Sequence, residues 1–295
     1  MRLNEIYATH SPAISVEFFP PRSPEGEADL AARIPEIKAL GPAFCSVTYG
    51  AGGSGRDRTL GWVHRIKHEF GMEVMCHLTC VGQSCAESNE VLQKLKADGV
   101  QNVIALRGDP PKGEATWQPH PEGYHYAAQL VKACREMGFA VAVAGFPEIH
   151  PEAKSRESDL GYLKAKVDAG AEAVITQLFF DNEDFIRYVD AARKLGVAVP
   201  IVPGILPFRT VDEIRRFTTK YAPTMSGPAK VPDELEKQLA LVEKDDVAAG
   251  RVGIEWATRQ CRELLDAGAP GIHFYCMNKS NVVETIMRNL NLATT

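Results

Sequence analysis

What this 295-residue sequence lacks narrows it first. Its longest nearly apolar stretch, Phe139 to Phe146, is far short of the roughly 20 residues that cross a membrane, so no membrane partner is expected. No apolar leader follows Met1-Arg2-Leu3-Asn4-Glu5, and a cytoplasmic location is expected. Positive charge is not in excess: 33 Lys and Arg against 38 Asp and Glu leave a net −5, which supplies no attraction to nucleic acid. Cysteines are few and odd in number, seven, which reads as reduced thiols. No Ser/His/Asp grouping or close set of carboxylates points to a hydrolase or a divalent-metal enzyme, so no metal is expected. No lysine sits inside a strand near its end, which argues against Schiff-base chemistry.

What is present is a repeating unit. Apolar or β-branched runs recur at Ile14–Phe18, Phe44–Thr48, Glu73–Thr79, Asn102–Leu106, Phe139–Ala144, Ala173–Gln177, Val199–Pro203 and Gly271–Tyr275, giving eight expected strands. Between them lie helical spacings such as Leu30, Ile34, Ile37 and Leu160, Leu163, Val167. Single glycines at 41, 71, 99, 138, 170, 196 and 268 follow the periodic stretches and precede the next strand, where left-handed helix stops belong. Helix, glycine and strand, repeated, predict an α/β fold of the (β/α)8 TIM-barrel type over residues 1–295, read as one domain. The long interval from Gly196 to Gly268 predicts an extra helical segment, 233–246, before a last barrel helix at 252–267.

In such a barrel, polar residues at the carboxyl ends of strands are functional candidates. Glu17 lies among apolar neighbours, and two readings stay open: an acid with a raised pKa, or a carboxylate paired with a lysine or arginine across the barrel mouth. Gly50, Gly52 and Gly55 formally satisfy a dinucleotide fingerprint, but no acid ends the next strand, and they are read as a loop that lets a ligand approach the backbone. Cys76, Cys80 and Cys85 are read as core thiols, and His77 as a ligand contact. Arg107, Gly108 and Asp109 bring a cation, a bare backbone and a carboxylate to the mouth, with an Arg107–Asp109 surface pair as the bland alternative. The residues by themselves reach a barrel enzyme with one buried acid and a polar mouth, using an organic cofactor.

Eight ordered motifs then carry a resemblance: Glu17-Phe18-Phe19-Pro20-Pro21, Val47-Thr48-Tyr49-Gly50-Ala51-Gly52-Gly53, His77-Leu78-Thr79, Leu106-Arg107-Gly108-Asp109, Pro147-Glu148-Ile149-His150-Pro151-Glu152, Ile175-Thr176-Gln177, Pro203-Gly204-Ile205-Leu206-Pro207 and His273-Phe274-Tyr275. Together the chain closely resembles the methylenetetrahydrofolate reductase family, over nearly its whole length and as the catalytic barrel without a regulatory domain. The resemblance implies an FAD enzyme of one-carbon metabolism and methionine biosynthesis, commonly a homo-oligomer. Such enzymes reduce 5,10-methylenetetrahydrofolate to 5-methyltetrahydrofolate with NADH or NADPH in ping-pong fashion.

By the same resemblance, Glu17 is the general acid toward folate N10 and Asp109 the charge beside flavin and pterin. Thr48, Tyr49, Ala51, His77, Arg107, Gly108, Asp109, Tyr126, Ala127, Phe146, His150, Ala153, Asp159 and Lys166 match FAD contacts. Gln177, Glu213, Phe217 and Lys279, with Glu17, match the substrate side; Phe217 also continues an apolar helical stripe. Phe146, Tyr162, Ala165, Glu213 and Lys279 depart from the bacterial pattern, and Glu213 places an extra acid where an anionic folate is expected. Three alternatives are carried: a physiological direction of 5-methyltetrahydrofolate oxidation, a flavin-free pterin-binding barrel methyltransferase, and a cofactor-free folate binder.

Overall fold

A computed structural model describes residues 1–49, 55–110, 117–220 and 229–292. A short helix α1 (Leu3–Thr9) leads into β1 (Ala13–Phe18), α2 (Pro24–Ala39), β2 (Phe44–Val47), α3 (Arg56–His68), β3 (Val74–Thr79), α4 (Cys85–Ala97) and β4 (Asn102–Leu106). There follow α5 (Ala127–Glu136), β5 (Ala140–Gly145), α6 (Arg156–Asp168), β6 (Ala173–Thr176), α7 (Asn182–Lys194), β7 (Ile201–Val202) and β8 (Gly204–Ile205). The chain then runs through α8 (Val211–Arg215), a π-helical turn at Arg216–Lys220, α9 (Asp233–Leu241), α10 (Asp246–Asp266), β9 (Gly271–Phe274) and α11 (Ser280–Asn289).

Every strand pairing is parallel, in the order β7-β6-β5-β4-β3-β2-β1-β9-β8. The two ends of that order are consecutive in the chain. Pro203 stands between β7 and β8, and a proline has no N–H to give to a ladder. The residues before it pair with β6 and those after it with β9, while the Pro203 carbonyl accepts from His273 N at 3.0 Å. The expected seventh strand is therefore one barrel stave divided at its proline, and the (β/α)8 reading holds.

The seven predicted helix stops hold as well. Gly41, Gly71, Gly99, Gly138, Gly170, Gly196 and Gly268 all have φ between +61° and +112°. That region costs a side chain steric strain and costs glycine none. The extra segment before α10 is present as α9, and α11 packs beyond the last strand, where the sequence reading placed no helix. α4 starts at a reciprocal cap: Ser84 Oγ accepts from Glu87 N at 3.2 Å and Glu87 Oε2 accepts from Ser84 N at 2.9 Å.

Alternation along the strands divides the core in two. Val16, Phe18, Val47, Cys76, Leu78, Val103 and Val141 pack outward under the helices. Ala13, Phe44, Met75, Ile104, Ala142, Ile175 and Val202 fill the barrel interior with Leu3 and Ile6 of α1, which closes its lower end. Asn102 fastens that plug: its Oδ1 accepts from Leu3 N at 2.9 Å, and its Nδ2 donates to Met1 O at 2.8 Å and Glu73 Oε1 at 2.9 Å. Asn102→Ala should therefore lower unfolding free energy by about 2–3 kcal/mol in urea titrations, because a buried backbone donor loses its acceptor. Six of the seven cysteines are buried, Cys85 is half-buried, and all are free, in keeping with core thiols. Among the described residues no helix is long and apolar enough to cross a membrane.

Candidate active site

The interior positions turn polar toward the carboxyl ends of the strands. Register explains who meets whom: on β1, Ser15 lies beside His273 of β9 and Glu17 beside Ser46 of β2. Glu17 Oε2 is 3.1 Å from His77 Nε2, 3.6 Å from His273 Nε2, and accepts from Ser46 Oγ at 3.4 Å. The His77 contact is close but not aligned as a hydrogen bond, since His77 Nε2 has no hydrogen-bond partner. His273 Nδ1 is held 2.8 Å from Ser15 Oγ. The His273 ring stacks near Phe44 and meets Tyr275 edge-on, and Tyr275 is anchored by donating to Thr176 O at 2.7 Å.

This geometry corrects one expectation. Burial pushes the Glu17 carboxyl up, but the charge of His77 and the close approach of both imidazoles outweigh it, and the pKa is lowered from 4.5 to about 2. Glu17 is a carboxylate set against two histidines; its partner is neither a lysine nor an arginine, and it is not a carboxyl held protonated by apolar walls. His273, Ser15 and Ser46 were missed as site residues. The signal for them was available: each is a polar residue at an inward position of a strand next to Glu17.

A second group of residues forms a basic rim above the same barrel end. Lys166 of α6 is half-buried, donates to Ala144 O at 2.6 Å, and is held down to about 8 by desolvation, with Asp159 opposing. The Asp159 carboxyl is raised, mainly by burial, and accepts from His150 N at 3.4 Å. His150 sits edge-on to Phe146 with ring centroids 4.7 Å apart, and is lowered by burial and then by the charge of Arg107. Arg107 lies over the Trp117 ring at 5.1 Å and forms a fork with Glu152, one arm at 2.9 Å. The bland Arg107–Asp109 pairing is replaced by this Arg107–Glu152 fork.

Gly108 follows with φ +89°, and a side chain there would press on Val81 and Thr79. The neighbouring Thr79 Oγ1 is buried without a hydrogen-bond partner. A half-buried ammonium, a half-buried imidazole, a guanidinium, a bare backbone and an orphan hydroxyl form a donor set suited to a phosphate-bearing cofactor.

The remaining predicted residues are scattered around this mouth. Thr48 O accepts from Thr59 Oγ1 at 2.8 Å, which ties the end of β2 to α3, and Tyr49 OH accepts from Gln83 at 2.9 Å. Ala51 lies outside the described residues. Tyr126 is exposed at the start of α5, and Ala127 is that helix's first residue. Ala153 N donates to His150 O at 2.9 Å. Gln177 folds back, its Oε1 accepting from Leu178 N at 2.9 Å. Phe217 lies in the π-helical turn against the cluster of Phe180, Phe208 and Trp256, in keeping with its apolar stripe.

Glu213 does not present a bare charge, because Arg209 holds it through its backbone N at 2.7 Å and its guanidinium at 3.0 Å. The unfavourable extra acid expected from the sequence is thereby neutralised. Lys279 Nζ is 3.8 Å from Asp29.

The family model described as Methylenetetrahydrofolate reductase matches residues 2–291. Methylenetetrahydrofolate reductase (NADH) 1 of Arabidopsis thaliana is 37% identical over 294 residues, covering 95% of this chain and 48% of its own length. This chain thus spans about half the length of such plant relatives. The 5,10-methylenetetrahydrofolate reductase of Pectobacterium carotovorum is 37% identical over 280 residues, with 95% and 90% covered, and that of Escherichia coli 36%. Among solved structures, a Clostridium thermocellum protein that binds two copies of 5-methyl-5,6,7,8-tetrahydrofolic acid superposes with TM-score 0.61 at 12% identity, covering 99% and 100% of the two chains. Dihydropteroate synthase from Xanthomonas albilineans follows at 0.53 and 11%, covering 96% and 93%. At those identities the likeness shows the barrel fold alone.

Proposed function

The chain belongs to the methylenetetrahydrofolate reductase family, and from that premise we propose that it is an FAD-dependent oxidoreductase that interconverts 5,10-methylenetetrahydrofolate and 5-methyltetrahydrofolate, with NADH or NADPH as the electron donor. The observation that carries the reading is the buried Glu17–His77–His273 cluster at the floor of a barrel mouth whose rim carries Lys166, His150 and Arg107.

In this reading the rim residues Lys166, His150 and Arg107 would hold the phosphate groups of FAD, since they supply donors and positive charge to an anion. Gly108 would let the cofactor meet bare backbone, and Thr48, Tyr49, Arg107, Tyr126, Ala127, Phe146, Ala153 and Asp159 would complete the cradle; Ala51 is assigned to it on the family resemblance alone. When bound there, FAD supplies hydride transfer. The chain's own residues handle protons and charge. Glu17 passes a proton to folate N10, which opens the five-membered ring to an iminium ion, and His77 and His273 return the proton to the carboxylate. Ser15 holds His273 in the orientation that permits this. Asp109, two residues beyond Arg107 at the end of β4, favours the cationic iminium electrostatically.

Gln177, Phe217, Glu213 and Lys279 are assigned to the folate and nicotinamide side. Lysine at 279 gives a point charge where arginine would give a fork, so the grip on an anionic folate tail is looser. Small-molecule partners, a homo-oligomer and a cytoplasmic setting go with this reading.

The test is the visible spectrum of the purified protein, alone and after addition of FAD. Flavin absorbance that bleaches on anaerobic mixing with NADH, NADPH or 5-methyltetrahydrofolate is expected, and which donors bleach it reports reductant and direction. Absence of flavin binding sinks the proposal in favour of a flavin-free pterin-binding barrel.

A further inference from the structure

Away from the barrel mouth, α3 ends in two histidines four residues apart, His64 and His68, which share one face of the helix. The residue that closes α4, Asp98, reaches between them. Its Oδ1 lies 2.8 Å from His64 Nδ1 and 3.0 Å from His68 Nε2, and the three atoms all fall within 4.8 Å of one another. The two rings lean together with centroids 4.7 Å apart. Both imidazoles are about half exposed, so the group opens to solvent.

From this geometry we propose a surface metal site, His64–His68–Asp98, that takes one divalent transition ion of the zinc, cobalt or nickel class. Asp98 Oδ1 lies within hydrogen-bond distance of both imidazole nitrogens, and an ion bonded at roughly 2.1 Å would take the same three atoms as ligands after a small opening of the group, since ligands of such an ion stand about 3 to 3.4 Å apart. Two imidazoles and one carboxylate on one side of the ion leave the remaining positions to water. The nitrogen content disfavours calcium and magnesium, which take oxygen ligands, and no thiol takes part.

The position sets what the ion would do. α3 begins just past the carboxyl end of β2 and runs back to the amino end of β3, and Asp98 stands just before β4. The site is therefore at the end of the barrel opposite Glu17, where it bolts α3 to α4 and takes no part in the reaction. An ion bound to the folded chain stabilises it by mass action, because the unfolded chain does not hold the three ligands together.

The full-length chain should take up one Co2+, titrated alone, with weak visible bands typical of nitrogen and oxygen ligands and without the intense near-ultraviolet band of cobalt–thiolate bonds. Zn2+ should displace it and raise the thermal midpoint. His64→Ala and His68→Ala should each weaken binding by about tenfold or more and remove the Zn2+-dependent rise in the midpoint, with unchanged circular dichroism. Asp98→Asn should weaken it in the same direction. Uptake unchanged in both histidine variants, a thiolate band in the cobalt spectrum, or no uptake by the parent chain overturns the site.

Discussion

Glu17→Gln should reduce the rate of the folate half-reaction by roughly 10²- to 10⁴-fold, the usual contribution of a positioned proton donor, and leave reduction by a nicotinamide nearly intact. Glutamine keeps the length and polarity of the side chain but has no carboxyl to carry a proton between the histidines and folate. The measurement is anaerobic stopped-flow of each half-reaction at the flavin absorbance. Equal loss in both halves would show that Glu17 serves binding or folding and not the proton step.

The same variant reports the ion pair through stability. The Glu17 pKa is lowered in the folded chain, so its stabilising contribution is present above the ordinary carboxylate value and is lost as pH falls from 4.5 toward about 2. Urea titrations at pH 6 and pH 3 should show a steeper acid loss in the parent chain than in Glu17→Gln. An identical acid slope in the two would mean that the histidines do not hold the carboxylate ionised.

Lys166→Met should weaken FAD binding by about ten- to a hundredfold, the equivalent of one charge-assisted hydrogen bond, while conserving much of the buried volume. The Lys166 ammonium is partly desolvated, which holds it down to about 8, and it is met by the Ala144 carbonyl, the face of the Phe146 ring and the nearby Asp159. An incoming pyrophosphate supplies further counter-charge. Affinity in the parent chain should therefore fall as pH rises through about 8, where the ammonium loses its proton, and this step should vanish in Lys166→Met. Flavin fluorescence titrations at pH 7 and pH 9 check both. Affinity unchanged at pH 7 would remove Lys166 from the cofactor site. Lys164→Met serves as the control, because Lys164 is engaged in an exposed pair with Asp168.

The strands, the seven glycine stops and the barrel could all be read in the chain, because each depends on local patterning: apolar runs for strands buried on both faces, and a φ that only glycine adopts without strain. Glu17 stood out for the same reason, as one charge in an apolar run. Its protonation state did not, since that depends on His77 and His273, which arrive from other strands, and on which side chains the register turns inward. Glu213 is a similar case with a different outcome: the acid was visible, and its neutralising partner Arg209 became evident only once α8 formed.

Sequence by itself determined the (β/α)8 architecture, the strand ends that carry chemistry and the motifs that place the chain in its family. The tertiary structure decided which charges meet: Glu17 with two histidines, Arg107 with Glu152, and Asp98 with His64 and His68. The division has one physical cause. Patterning and backbone preference act over a few neighbouring residues, whereas the energy of an ionised group depends on distances of a few ångströms to partners far away in the chain, and only closure of the barrel sets those distances.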